Sequence, residues 1–171
     1  EALGLLALML LAEARRNVEP RLSPTRYRAL TAGSSRVPPQ FLTDGRPPNL
    51  EGFLFPATYE VTAKTTTRQL VNKQLTAFRR NWSRLNLRAA RAKNLTSYDV
   101  LIIASMIEKE VIAPEERALV AAVIYNRLKA GMTLGIDATI RYGLNVPGTE
   151  SLRESHLADP TPYNTRIHPG L

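Results

Sequence analysis

The chain has 171 residues, with 23 lysines and arginines against 15 acids, no cysteine and two histidines. That length fits one domain, or one domain and part of another, and the absence of cysteine excludes a disulfide scaffold, thiol catalysis and cysteine-ligated zinc. His156 and His168 are the only histidines, and no HExxH, Walker loop, GxGxxG or GxSxG run occurs, so no metal site, cofactor or Ser-His-Asp triad is expected.

The net charge of +8 suits a polyanionic neighbour, whether nucleic acid, an anionic membrane face or an acidic wall polymer; plain solubility is the simpler alternative. The apolar run Leu3–Ala12 (LGLLALMLLA) is about half the length that a membrane-spanning helix needs. It reads as a buried helix or the end of something longer. The chain opens at Glu1 and stops in HPGL, and it reads as part of a larger protein.

In chain order, residues 1–18 are expected to form a helix that turns basic at Arg15 and Arg16. Residues 19–48 hold Pro20, Pro24, Pro38, Pro39, Pro47 and Pro48 and are expected to be a connector, because paired prolines break both helix and ladder. NLEGFLFPATYEV (49–61) suggests extended pieces around a turn. Over 66–91, Val71, Leu75, Phe78, Trp82 and Leu85 recur as one helical stripe, and Thr66 with Gln69 forms a possible capping box. Nine basic residues and no acid lie between Lys64 and Lys93, which suits a solvated face or a polyanion-facing one.

A helix is expected at 97–111, capped by Thr96 and Asp99, and another from Pro114 through Leu119, Val120, Val123, Ile124 and Leu128 to a stop at Gly131. Beyond Gly131 the elements are shorter, including a short helix at 151–157. The expected fold class is α+β, mostly helical, with short strands around 50–61 and 132–137, and with helix 97–111 packed on helix 114–130.

The run ASMIEKEV (104–111) places two carboxylates at the end of an apolar helix. On a wheel centred on Val100, Glu108 falls about 80° to one side and Glu110 about 80° to the other, so the two do not face one site. A hydrolase pair of acids facing one bond is therefore excluded. A single carboxyl at the edge of an apolar face can still act, because desolvation raises its pKa and lets it donate a proton near neutral pH. The alternative is a surface Glu-Lys-Glu that merely ends a core helix. Pattern does not choose between them, nor between the two glutamates.

Three stretches, NLEGFLFPATYEV, IIASMIEKEV…ERALVAAVIYNRLKAGMTLGIDATIRYG and TPYNTRIHPGL, occur in this order. They resemble the signature blocks of the endolytic murein transglycosylase family (MltG/YceG-like), over roughly residues 49–171. The resemblance implies a catalytic domain at 49–171, truncated at its C-terminus, after an unassigned segment 1–48. It implies cleavage of the bond between N-acetylmuramic acid and N-acetylglucosamine in peptidoglycan strands, leaving 1,6-anhydro-muramyl ends. The first glutamate of the family's E-K-E triplet, here Glu108, would be the acid/base. Glu110 would be structural, paired with a nearby arginine.

The resemblance further implies cleft residues that bind sugar hydroxyl and acetamido groups: Asn126, Asp137, Thr139, Tyr163, Asn164 and Thr165. Asn126 has the alternative of bracing its helix, and Asp137 that of capping a short helix at 138–142. Arg127 reads as a structural ion-pair partner, and Glu51 as a residue holding its turn. Gly135 and Ala138 stand where the family usually has glutamine and proline, and Arg166 replaces a common aromatic. These departures keep a catalytically weak peptidoglycan-binding module as the second reading. The implied setting is the outer side of the inner membrane, tethered by an N-terminal helix, with wall-synthesis proteins as partners and no nucleic acid. The first sixteen residues are instead similar to a short stretch of some extracytoplasmic-function sigma factors.

Overall fold

The computed structural model describes residues 22–33, 36–42 and 49–171. The apolar run Leu3–Ala12 and the helix expected at 1–18 lie outside the described residues. The chain divides into two compact units between Lys93 and Asn94.

The first unit is built on helix α1 (Pro24–Ala32) and the long helix α2 (Thr67–Trp82), followed by the short helix α3 (Arg88–Arg91). Ser23 caps α1 by accepting from Arg26 N, and Pro24 takes the first turn, where its missing N–H costs nothing. The capping box before α2 is present: Thr66 accepts from Gln69 N, and the Gln69 side chain accepts from Thr66 N at 2.8 Å. Its stripe buries Leu70, Val71, Leu75 and Phe78.

Phe41 sits at the centre of this core, completely buried, with its ring edge-on to Phe53, Phe78 and Trp82 at centroid distances of 5.0, 5.6 and 4.7 Å. Each such pair adds about 0.5–1.5 kcal/mol beyond the area it buries. Tyr27 of α1 donates to Gln74 Oε1 of α2 at 2.9 Å, and Leu50 N donates to the Thr31 carbonyl at 2.8 Å. Residues expected to be only a connector thus supply part of the core: Pro24 and Pro39 each open a helical turn, while the apolar side chains Tyr27, Val37 and Phe41 are buried. The helix expected to run to 91 stops at Trp82, where Ser83 and Asn86 offer local turn bonds, and resumes for one turn.

The second unit packs helix α4 (Ser97–Glu110) against α5 (Arg117–Lys129) and α6 (Asp137–Leu144), with α7 (Glu154–Leu157) beside α6. Thr96 and Asp99 form the expected capping box. Pro114–Glu116 makes one 3-10 turn before α5, which ends at Gly131 with φ +66. The core of this unit is Ile103, Met106, Ile124, Leu134 and Ile136.

The expected α+β class is overturned: the described residues contain no strand, and their only ladder contact is an isolated bridge between Thr133 and Pro169. The segment 50–61 turns back at Leu50–Phe53 instead of extending, and Pro56 interrupts the remainder of it. In 132–137 the extended run breaks at Gly135, whose φ is +65. The described fold is helical with long irregular connections.

Candidate active site

The apolar face of α4 differs from the one that the wheel suggests. Ile103 and Met106 are buried, whereas Ala104 and Ser105 are exposed. The buried direction is therefore rotated by roughly 90° from Val100, toward the side of Glu110. Ala104 carries too little apolar surface to pull its side of the helix inward, and the larger Met106 wins.

Glu108 consequently lies about 170° from the core direction. Its side chain is 72% exposed, and its Oε2 accepts from Arg117 Nη2 at 3.3 Å. The expected desolvation by the helix itself is absent. The expected partner of Glu110 is also corrected: the arginine pairs with Glu108. Arg117 carried no sequence signal, because its partner lies across the turn 111–116 and no helical spacing relates them.

Asn126 stands on α5 opposite the buried Ile124 and is exposed. Leu119 and Val123 share that outer side, 68% and 45% exposed. Arg127 is structural, as read, but through the Leu134 carbonyl, to which its Nη1 donates, and not through a carboxylate.

The remaining candidates come together where α6 begins. Gly135 N donates to the Thr165 carbonyl at 2.8 Å, and Ile136 N to Thr165 Oγ1 at 2.9 Å. The hydroxyls of Thr139 and Thr165 lie 3.0 Å apart and 2.8 and 3.2 Å from the Ile136 carbonyl, so their two protons serve two of these three contacts. The left-handed backbone at Gly135 suits glycine, and a side chain there would be strained.

Asn164 is fully buried. Its Nδ2 donates to the carbonyls of Leu157 and Asp159 at 2.9 and 2.7 Å, and its Oδ1 accepts from Arg166 N at 3.0 Å. It holds the turn 161–168 together from inside. Thr165 and Thr139 likewise point their hydroxyls at backbone and at each other. Asp137 is the first residue of α6, not its cap, which is Ile136. Its carboxylate takes two bonds from Arg166, at 2.9 Å from Nε and 2.7 Å from Nη2. Pattern reasoning missed this pair, because the two residues are 29 apart in sequence.

Tyr163 remains open to solvent, 46% exposed, with its ring edge-on to Tyr142 at 5.0 Å. Gly143 makes this contact possible: a Cβ there would lie 2.8 Å from Tyr163 Cβ. The cluster therefore presents the Tyr163 ring and an ion pair outward, on a bracket of half-buried hydrogen bonds.

The second unit is thus a small helical body that displays Glu108 on the helix face opposite its core and Tyr163 on a braced turn. Among the described residues, no group of three or more His, Asp or Glu side chains could hold a metal ion. A profile of the YceG-like family matches residues 9–171, and the chain belongs to that family. It is 40% identical over 126 residues to an endolytic murein transglycosylase of Streptococcus pneumoniae (strain R6), covering 71% of this chain and 23% of the relative. It is 31% identical over 122 residues to the endolytic murein transglycosylase of Bacillus subtilis (strain 168), covering 71% of this chain and 34% of the relative. The chain spans well under two thirds of the length of either relative. A crystal structure of a yceG-like protein from Listeria monocytogenes aligns with a TM-score of 0.71 at 25% identity, over 89% of this chain and 53% of that one.

Proposed function

We propose that this chain carries the catalytic part of an endolytic murein transglycosylase, with Glu108 as its acid/base. The observation that carries this reading is the placement of Glu108: one carboxylate on the outer face of α4, about 160° around the helix from Glu110. The relatives' names supply the substrate class.

One carboxyl suffices for this reaction. Glu108 in its acid form donates a proton to the glycosidic oxygen as the bond to C1 of the muramyl sugar breaks. The resulting carboxylate takes the proton of the C6 hydroxyl, and O6 closes onto C1. No water is consumed, and the product is a 1,6-anhydro-muramyl end. The nucleophile belongs to the same sugar, so no second carboxylate has to activate it. A glycan laid over the outer face of α4 would bring its glycosidic oxygen to Glu108 and shield the carboxyl from solvent. Tyr163 offers a ring face to a sugar, and Asn126 an amide.

Such an enzyme would act on the outer side of the inner membrane, alongside wall-synthesis proteins. No helix among the described residues is long and apolar enough to cross a membrane.

The test is incubation of the protein and a Glu108→Gln variant with purified glycan strands, followed by mass spectrometry. Anhydro-muramyl ends from the parent alone are the expected result; hydrated reducing ends would overturn the single-carboxyl mechanism. The second reading, a binding module, draws on the internal bonding of Asn164, Thr165 and Asp137, which leaves few groups free for substrate. Strand binding by the parent without release of ends would establish it.

A further inference from the structure

The first unit carries a groove of about 590 Å³ along the outer side of α2. Gln69, Lys73, Thr76 and Arg80 line it at helical spacing, which makes a strip about 16 Å long. Tyr59 and Lys64 face them from the preceding segment. Among the described residues no carboxylate lines it; the nearby Glu60 contributes its carbonyl, which accepts from Lys73 Nζ at 2.7 Å. Lys73 keeps two further N–H donors. Asn72 accepts from Arg36 through Oδ1, which leaves its NH2 group for a ligand.

Among the described residues, three cations, Lys64, Lys73 and Arg80, share the lining with six neutral hydroxyl or amide side chains. That ratio fits a ligand richer in hydroxyl and amide groups than in charge. A phosphodiester chain, charged at every unit, fits it less well. Among the described residues, no exposed large apolar side chain lines the groove, which favours a polar ligand over a bilayer.

We propose that the groove is a second binding site for the wall glycan: its cations pair with stem-peptide carboxylates, and its hydroxyl and amide groups bind sugar and peptide. This rests on the murein reading above. The site would hold an extended strand, and its contribution would fall as salt rises.

The test measures binding of fluorescent glycan strands to the Glu108→Gln protein, so that no turnover intervenes. It uses strands with native stem peptides, strands whose carboxylates have been amidated, and a phosphate polymer. The background is compared with the added changes Lys64→Gln and Arg80→Gln, both at exposed positions, and with the charge-keeping pair Lys64→Arg and Arg80→Lys. Loss of two exposed charges is expected to weaken binding of native strands about tenfold. Amidated strands should already bind the unaltered groove that weakly, with no further loss on Lys64→Gln and Arg80→Gln, and the charge-keeping pair should bind native strands as the background does.

Equal binding of native strands by all three proteins would overturn the proposal. So would an equal loss on native and amidated strands, which marks a damaged fold, or a loss confined to the phosphate polymer. If the groove changes weaken binding while the parent releases no anhydro ends, the transglycosylase reading fails and the carboxylate site stands. If ends are released and the groove changes alter nothing, the reverse holds.

Discussion

Arg117 and Glu108 are nine residues apart, on either side of the turn that joins α4 to α5, and their side chains meet at 3.3 Å in solvent. Both are more than half exposed, so the pair contributes at most about 1 kcal/mol to folding. Its consequence lies in orientation: the guanidinium favours one rotamer of the proposed acid. Arg117→Ala is expected to leave the melting temperature nearly unchanged and to lower kcat by at most about fivefold, the rotamer bias that about 1 kcal/mol can hold. Arg117→Lys should recover part of it. A fall in melting temperature matching the fall in activity would show that the pair is merely structural.

Asn164 makes three internal hydrogen bonds from a fully buried position. Asn164→Ala leaves two carbonyls and one N–H without their partner, at a cost of about 2–3 kcal/mol. Chemical denaturation of the two proteins reads this directly. An unchanged midpoint would mean that water replaces the amide at no cost.

Gly143 lies against Tyr163 and Thr161, and a Cβ there falls within 2.9 Å of Thr161 Oγ1 as well. The nearest atom is itself a Cβ, which cannot swing away as a side-chain tip can. Gly143→Ala is expected to destabilise by about 1–3 kcal/mol through overpacking, despite alanine's better helix propensity. If thermal melts show Gly143→Ala to be more stable, the turn yields more easily than its bonding indicates.

Burial raises the Tyr27 phenol above its ordinary value of 10.0. Folding therefore favours the protonated phenol. That stability is whole below pH 10 and is lost as pH climbs through the raised value. Melting temperatures measured from pH 8 to 11 should fall, and Tyr27→Phe should flatten the fall. The variant should start lower by about 1 kcal/mol, because Gln74 loses its donor. An identical alkaline slope in both proteins would rule this out as the cause.

Local signals were the most legible part of the sequence. Both capping boxes, Thr66 with Gln69 and Thr96 with Asp99, stand as their spacing requires, because the partners are three residues apart. The glycine stop at Gly131 reads equally well. The strands were misread because β-formers such as Phe53, Phe55 and Tyr59 signal extended backbone but not whether a partner exists to pair with it. The face of α4 was misread because a wheel weights Ala104 and Met106 alike, whereas burial follows area. At the candidate site, residue identities were legible through resemblance. Their engagement was not: Arg117 with Glu108, and Arg166 with Asp137, are tertiary pairs without a period.

The internal bonding of Asn164 has a bearing on change over generations. The turn 161–168 keeps its shape through one buried amide and main-chain atoms, while Tyr163 and Arg166 on either side face outward. Shape and display are therefore separable there. Substitutions at 163 and 166 alter what the turn displays without rebuilding the loop. An engineer seeking to change that display would vary those two positions and leave Asn164 untouched.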